Sequence, residues 1–354
     1  MTGQFRVKAA GGALLVSLWA GGAMAAEDCA PADGARFVCG VNNVEDLVLL
    51  PGGNTVIGSD LSGHGHQGHF WLFDVTGSVR AIDPSEIVIG SGDGDASCPG
   101  APDWSIFEPH GLSFEPHGDG GRLIATNHGG RESLEIFEVA MKGDTPELTW
   151  TGCIPAPEDQ WPDDLWVLPD GRMVVTSLWD PRDEGRFEKL MKGEPVGGLT
   201  TWSANEGWKV IPGTEGLSGP NGVVATPDGK DVYVAAWSGQ QLVHIHMDET
   251  PAIETIDVGY PVDNLNWSAD GKTILMGGIT ASVADAFACF VSDNVNCPEL
   301  GLRIDRFDPV TGQITEVVAG GIYGQLGAAT GGIEVGDEIW VGTFRGDRIA
   351  IFER

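Results

Sequence analysis

Short apolar runs that alternate with polar positions and stop at glycine, proline or Asp-Gly dominate this chain. Sustained 3.6-residue periodicity is scarce beyond its first 25 residues. Six segments share one plan: VEDLVLLPGGNTVIGSD (44–60), PHGLSFEPHGDGGRLIATNH (109–128), PDDLWVLPDGRMVVTSLW (162–179), PNGVVATPDGKDVYVAAWS (220–238), VDNLNWSADGKTILMGGI (262–279) and GAATGGIEVGDEIWVGTF (327–344). Each has a polar opening, a short apolar strand, a turn such as Pro-Asp-Gly and a second β-rich strand, the chemistry of a tight hairpin. The starts lie roughly 40 to 65 residues apart, the span of a four-stranded propeller blade with loops of variable length. A β-sandwich would not repeat one hairpin six times. The pattern predicts an all-β, six-bladed β-propeller with four-stranded antiparallel blades, one domain over residues 26–354, its core packed between blades.

Residues 1–25 read differently. Arg6 and Lys8 precede a short run of Ala, Gly, Leu, Val and Trp that ends in Ala23-Met24-Ala25, the layout of a secretory signal peptide cut after Ala25. Glu27 and Asp28 before Cys29 are unlike the small apolar residues that precede a lipidated cysteine. No later run reaches the roughly 18 apolar residues of a membrane span. A soluble, periplasmic or secreted protein is expected, with no stable membrane insertion. The six cysteines then favour disulfides. Fifteen connectivities are possible, and proximity favours Cys29 with Cys39 and Cys289 with Cys297, leaving Cys98 for Cys153. The net charge of −31 falls to −33 without Arg6 and Lys8. Such a field repels nucleic acid and anionic lipid and concentrates cations.

The candidate chemistry sits at the opening of each hairpin: Glu45-Asp46, His110-Gly111, Asp163-Asp164, Asn221-Gly222 and Asp263-Asn264. In a propeller the first strand of each blade is innermost, so residues more than two hundred positions apart converge on the axis. Carboxylate and amide oxygens without thiolates are a hard donor set suited to Ca²⁺, which takes six to eight oxygens. Without a cation, buried acids in such a ring would repel one another. In the second blade a histidine stands where the others place oxygens, and His128 follows at the end of the next strand.

In motif order, VEDLVLLPGG, PHGLSF, TNHGGRESLEIFEV, DDLWVLPDG, NGVVATPDGKDVYVA and VDNLNW resemble the calcium-dependent six-bladed propeller hydrolases. The resemblance is strongest to the paraoxonase/arylesterase lactonases, with gluconolactonase-type and organophosphatase propellers as more distant relatives. It covers most of the chain after residue 25. It implies two calcium ions: a catalytic one held by Glu45, Asp163, Asn221, Asp263 and Asn264, and a deeper structural one held by Asp46, Asp164 and the main-chain carbonyl of Leu112. His110 and His128 fall on the family's histidine dyad. Asp163 stands where that family usually has asparagine, the family's further pocket histidine is replaced around Ile279, and the cysteine that ties the two chain ends has no C-terminal counterpart.

An open position on Ca²⁺ would polarise an ester or lactone carbonyl while His110, oriented by His128, takes a proton from water. The expectation is therefore a calcium-dependent lactonase or arylesterase acting on a small molecule. Sugar lactones and phosphotriesters are alternative substrates for the same metal ring, and a non-catalytic ligand-binding propeller with structural calcium is the alternative of another class. Trp161 and Trp179, near repeat starts and strand exits, are candidate walls of an apolar pocket. The loop SGHGHQGHF groups His64, His66 and His69 as a transition-metal site or, more simply, a solvent loop, and GSGDGDAS near residue 90 reads as a loop.

Overall fold

A computed structural model of the protein describes residues 29–63, 67–248, 250–292 and 294–354. The expected signal segment, His64 and His66 lie outside these residues. The described residues form six sheets, each a blade whose strands follow in sequence from the axis outward except for the outermost strand of the second and of the sixth. The innermost strands are Val44–Leu49, Pro109–His117, Pro162–Val167, Pro220–Ala225, Val262–Trp267 and Ala329–Val335, so each repeated hairpin of the sequence is the inner half of one blade. The second blade adds a fifth strand, Val88–Gly94, which runs parallel to Thr145–Pro155. It takes in the first half of GSGDGDAS, which the sequence pattern assigned to a loop.

The alternation read from sequence becomes packing between blades. Every junction has its own buried cluster: Val44, Leu47 and Phe73 of the first blade meet Trp340 and Ile333 of the sixth, while Phe70 and Ile57 meet Leu123 and Phe137 of the second. Equivalent clusters join the second to the third blade, and so on around the ring. Aromatic edges supply part of the fit, as where Phe70 meets Phe137 at 5.2 Å and 86°.

The ring closes without a cysteine between the chain ends. Arg36–Cys39 pairs antiparallel with Arg348–Glu353 and becomes the outer strand of the sixth blade. Arg36 also reaches Glu338 at 2.6 Å, and Phe37 is buried among Leu302, Ile304 and Phe352. The three disulfides are Cys29–Cys39, Cys98–Cys153 and Cys289–Cys297, the pairing that proximity favoured. They favour an extracellular or periplasmic setting. No helix among the described residues is long and apolar enough to cross a membrane.

Two short helices escape the strand pattern. Arg186–Met191 and Val283–Phe290 connect the second and third strands of the third and fifth blades and touch each other. At six and eight residues they are too short for sequence periodicity to register. A capping box at Ser282 and Asp285 was the available signal for the second.

If the amino-terminal strand is the clasp, Phe37→Ala should lower global stability by about 3 kcal/mol, read as a shift of the urea midpoint. A loss below about 1 kcal/mol would mean that this strand merely decorates the sixth blade.

Candidate functional site

All six inner strands carry the same irregularity. Their pairing with the second strand slips after the first residue, so two residues oppose one: Glu45-Asp46, His110-Gly111, Asp163-Asp164, Asn221-Gly222, Asp263-Asn264 and Thr330-Gly331. A β-bulge of this kind bends the strand and re-aims side chains. Here it delivers a pair of residues to the axis from every blade. The sixth pair is the one sequence comparison left out, because Thr330-Gly331 has neither charge nor amide to mark it.

The second members of the pairs alternate: Asp46, Gly111, Asp164, Gly222, Asn264, Gly331. The glycines make room for their neighbours. A Cβ on Gly111 would lie 2.3 Å from the Asp163 carbonyl oxygen and 2.7 Å from Asp164 Cα, and one on Gly222 would lie 2.6 Å from Asn264 Cα. Asp46 then crosses to the second blade, accepting from Leu112 N at 2.8 Å and Leu47 N at 2.7 Å. Asp164 repeats this one blade pair later, accepting from Val223 N and Leu165 N. Leu112 therefore meets Asp46 through its N–H. The deep layer thus staples the first blade to the second and the third to the fourth.

The first members form the upper layer. Glu45, His110, Asp163, Asn221 and Asp263 are all at most 6 % exposed and line the floor of one cavity of about 600 Å³, counting the part open to solvent. Asn264 donates to Glu45 Oε1 at 2.8 Å, and Thr330 Oγ1 donates to the Glu45 carbonyl at 2.5 Å. Five buried oxygens nevertheless have no hydrogen-bond partner: Glu45 Oε2, both oxygens of Asp163, Asn221 Oδ1 and Asn264 Oδ1. Burying so many acceptors unpaired is costly. Among the described residues no three His, Cys, Asp or Glu side chains form a metal-binding group by themselves. The orphaned set mixes acids with amides, an all-oxygen chemistry that fits a hard cation such as Ca²⁺.

The protonation energetics express the same conflict. Burial, with a further push from Glu45, raises Asp46 to about 8. Burial raises Asp163 to about 7, against the pull of His110. Asp164 and Asp263 are pushed well above the usual carboxylate range by burial and by neighbouring acids. His110 shows the reverse. Burial opposes its charge, but Glu45, Asp163 and Asp263 outweigh that and lift it to about 10. Left to itself, the ring relieves the crowding of its acids by holding protons.

His110 and His128 meet as expected, with Nδ1 and Nε2 3.0 Å apart. His110 Nε2 lies 3.3 Å from Glu45 Oε2, an ionic contact rather than an aligned hydrogen bond. Sequence reasoning missed Glu132, whose Oε2 is 2.6 Å from His128 Nδ1. Its position four residues after His128 was the available clue. Trp161 lies flat on His128, 3.9 Å between ring centroids and 5° between planes, and Trp179 stacks on Trp161 at 4.6 Å. Above the floor the walls are apolar: Leu178, Trp179, Trp237, Phe287, Phe290 and Phe344 all face the cavity. Both helices contribute, and Cys289–Cys297 ties down the second. Ile279 is buried in the apolar cluster beneath this canopy. His69 stands away from this ring, 3.6 Å from Asp60.

The chain belongs to the SMP-30/gluconolactonase family: the model described as "SMP-30/Gluconolactonase/LRE-like region" matches residues 64–319. A solved luciferin-regenerating enzyme shares the fold, with 12 % identity, a TM-score of 0.51 and coverage of 90 % of this chain and 95 % of that one. A streptogramin B lyase matches at 12 % identity and TM-score 0.49 over 90 % and 96 % of the two chains. A putative 6-phosphogluconolactonase from Bacteroides uniformis matches at 16 % identity and TM-score 0.41 over 79 % and 71 %. No curated protein matches the chain.

The close approach at the bulges gives a direct test. Gly111→Ala should destabilise the protein by about 1–3 kcal/mol, since the methyl group meets backbone of the third blade rather than a movable side chain. An unchanged urea midpoint would show that the inner strands can separate at no cost.

Proposed function

We propose that this protein is a calcium-dependent hydrolase of apolar lactones or aryl esters, closest in chemistry to the paraoxonase/arylesterase type. One observation carries the reading: four unpartnered buried oxygens, of Glu45, Asp163 and Asn221, belong to the floor of a cavity whose walls are aromatic and aliphatic, and a fifth lies on Asn264, which is hydrogen-bonded to Glu45. Glu45, Asp163, Asn221, Asp263 and Asn264 would hold the catalytic ion. Asp46 and Asp164, whose proton affinity is raised chiefly by burial and further by neighbouring acids, would hold a second, structural ion with a backbone carbonyl at Leu112. Bound Ca²⁺ supplies a Lewis acid for a carbonyl oxygen and offsets the carboxylates that load His110 with a proton.

The chain's own residues do the remaining work. His110 takes the proton of the attacking water through Nε2, the ring atom nearer Glu45, while His128 holds the Nδ1 side. Trp161 fixes the plane of His128, and the canopy excludes water from the floor, which strengthens every polar contact there. Asp163 adds a negative charge where relatives of the paraoxonase type carry an amide, and so tempers the electrophilicity of the ion.

The walls choose among substrates. A sugar lactone would present most of its hydroxyls to hydrocarbon such as Leu178, Phe287, Phe290 and Phe344, where they would lose water and find no partner. Among the described residues no Lys or Arg lines the cavity to receive a phosphate. Family membership supports lactone chemistry, and the cavity favours its apolar branch. A propeller that only binds its ligand is the competing reading.

Chelation should abolish hydrolysis of aliphatic lactones and aryl esters and lower the melting temperature, with calcium restoring both. At a hundredfold excess over Kd the ion contributes about 2.7 kcal/mol of stability. Activity that survives verified calcium loss would end the metal reading, and calcium binding without turnover of any ester, sugar lactone or phosphotriester would leave the binding module. Separately, His110→Gln should reduce kcat about 100-fold or more while calcium still raises the melting temperature. Near-normal kcat would remove His110 from the mechanism.

A further inference from the structure

The loop that follows the second strand of the second blade is built with unusual care for an exposed connection. Asn127, fully buried, accepts from Glu108 N and Gly129 N and donates to Gly129 O, Arg131 O and Ser133 Oγ. A Cβ on Gly129 would fall 1.7 Å from the Ile106 carbonyl oxygen, so the loop packs there against the backbone of residues 106–108 with room for glycine alone. Arg131 turns away to Glu135 and the Gly100 carbonyl and leaves Glu132 alone. Glu132 has one side-chain partner among the described residues, His128.

That contact sets the direction of every proton in the row. A carboxylate only accepts, so His128 donates from Nδ1. Burial holds the His128 imidazole below its usual range, against the pull of Glu132, and a neutral ring with its proton on Nδ1 has a bare Nε2. His110 must then donate from Nδ1 across the 3.0 Å contact, so Nε2, facing Glu45 and the cavity floor, is the ring atom from which His110 can exchange a proton. Were Glu132 absent, His128 could carry its proton on Nε2, which would reverse the row and turn His110 Nε2 into a donor.

Resting on the hydrolase reading above for its catalytic meaning, we propose that Glu132 is a positioning residue: it fixes the Nδ1–H tautomer of His128 and thereby commits Nδ1 of His110 to the row and Nε2 of His110 to proton exchange at the cavity floor. Glu132 touches neither the floor nor the cavity and acts only through His128. The arrangement follows the logic by which a buried acid orients the histidine of a hydrolase triad, with a second histidine inserted between acid-bound ring and substrate.

The test has two arms. In the first, nitrogen-resolved NMR of the histidine rings in the full protein, with and without calcium, should show His128 protonated on Nδ1. Glu132→Ala should lose that tautomer, and Glu132→Gln, which can still accept through its amide oxygen, should keep it. In the second, Glu132→Ala should reduce kcat on an uncharged aryl ester at least about tenfold, with KM within about twofold and the calcium-induced rise in melting temperature intact. Glu132→Gln should recover part of the loss. His128 protonated on Nε2 in the unsubstituted protein, or unchanged kcat in Glu132→Ala, overturns the proposal. If the unsubstituted protein hydrolyses none of the esters, the hydrolase reading fails, and the tautomer arm alone upholds or overturns the role of Glu132.

Discussion

Everything in this molecule answers to the crowding of six inner strands on one axis. Each strand relieves that crowding with a bulge, and the bulge brings polar residues to a place that water barely reaches. Alternating acid or amide with glycine in the deep layer lets Asp46 and Asp164 bridge to neighbouring blades through backbone N–H groups. The upper layer has no such outlet. Its oxygens stay unpaired and its acids hold protons, so the same geometry that closes the propeller makes a site with a strong demand for positive charge.

The apolar canopy raises the stakes of that demand. Trp161 and Trp179 continue the histidine row upward as a stack, and Phe187 and Phe287 extend it to the two helices. Charge lies below and hydrocarbon above, with His110 at the boundary. A ligand that suits the cavity therefore needs an apolar body and one polar end. This division follows from chain order: the floor comes from strand openings, the walls from strand exits and the loops beyond them.

Much of the architecture was legible because the hairpin repeats six times, and repetition turns weak turn signals into a strong one. The five polar pairs were legible for the same reason: aligned repeats expose residues that depart from the plan. What sequence did not disclose was local or silent. Thr330-Gly331 is too bland to be noticed, though it completes the ring and supports Glu45. Glu132 sits in a loop where an acid is unremarkable, and only the folded loop turns it toward His128. The canopy helices are shorter than the period needed to see them. The closing strand was hidden because its partner lies at the other end of the chain, where a missing cysteine gave no substitute cue.

That clasp has a consequence for the site. The ring residues run from Glu45 to Thr330, and the strand that locks them, Arg348–Glu353, is synthesised after all of them, yet must find Arg36–Cys39 from before the first blade. No blade owns the floor, since each contributes one pair. The upper-layer residues therefore meet only in the closed ring, an arrangement that no blade and no partial set of blades contains.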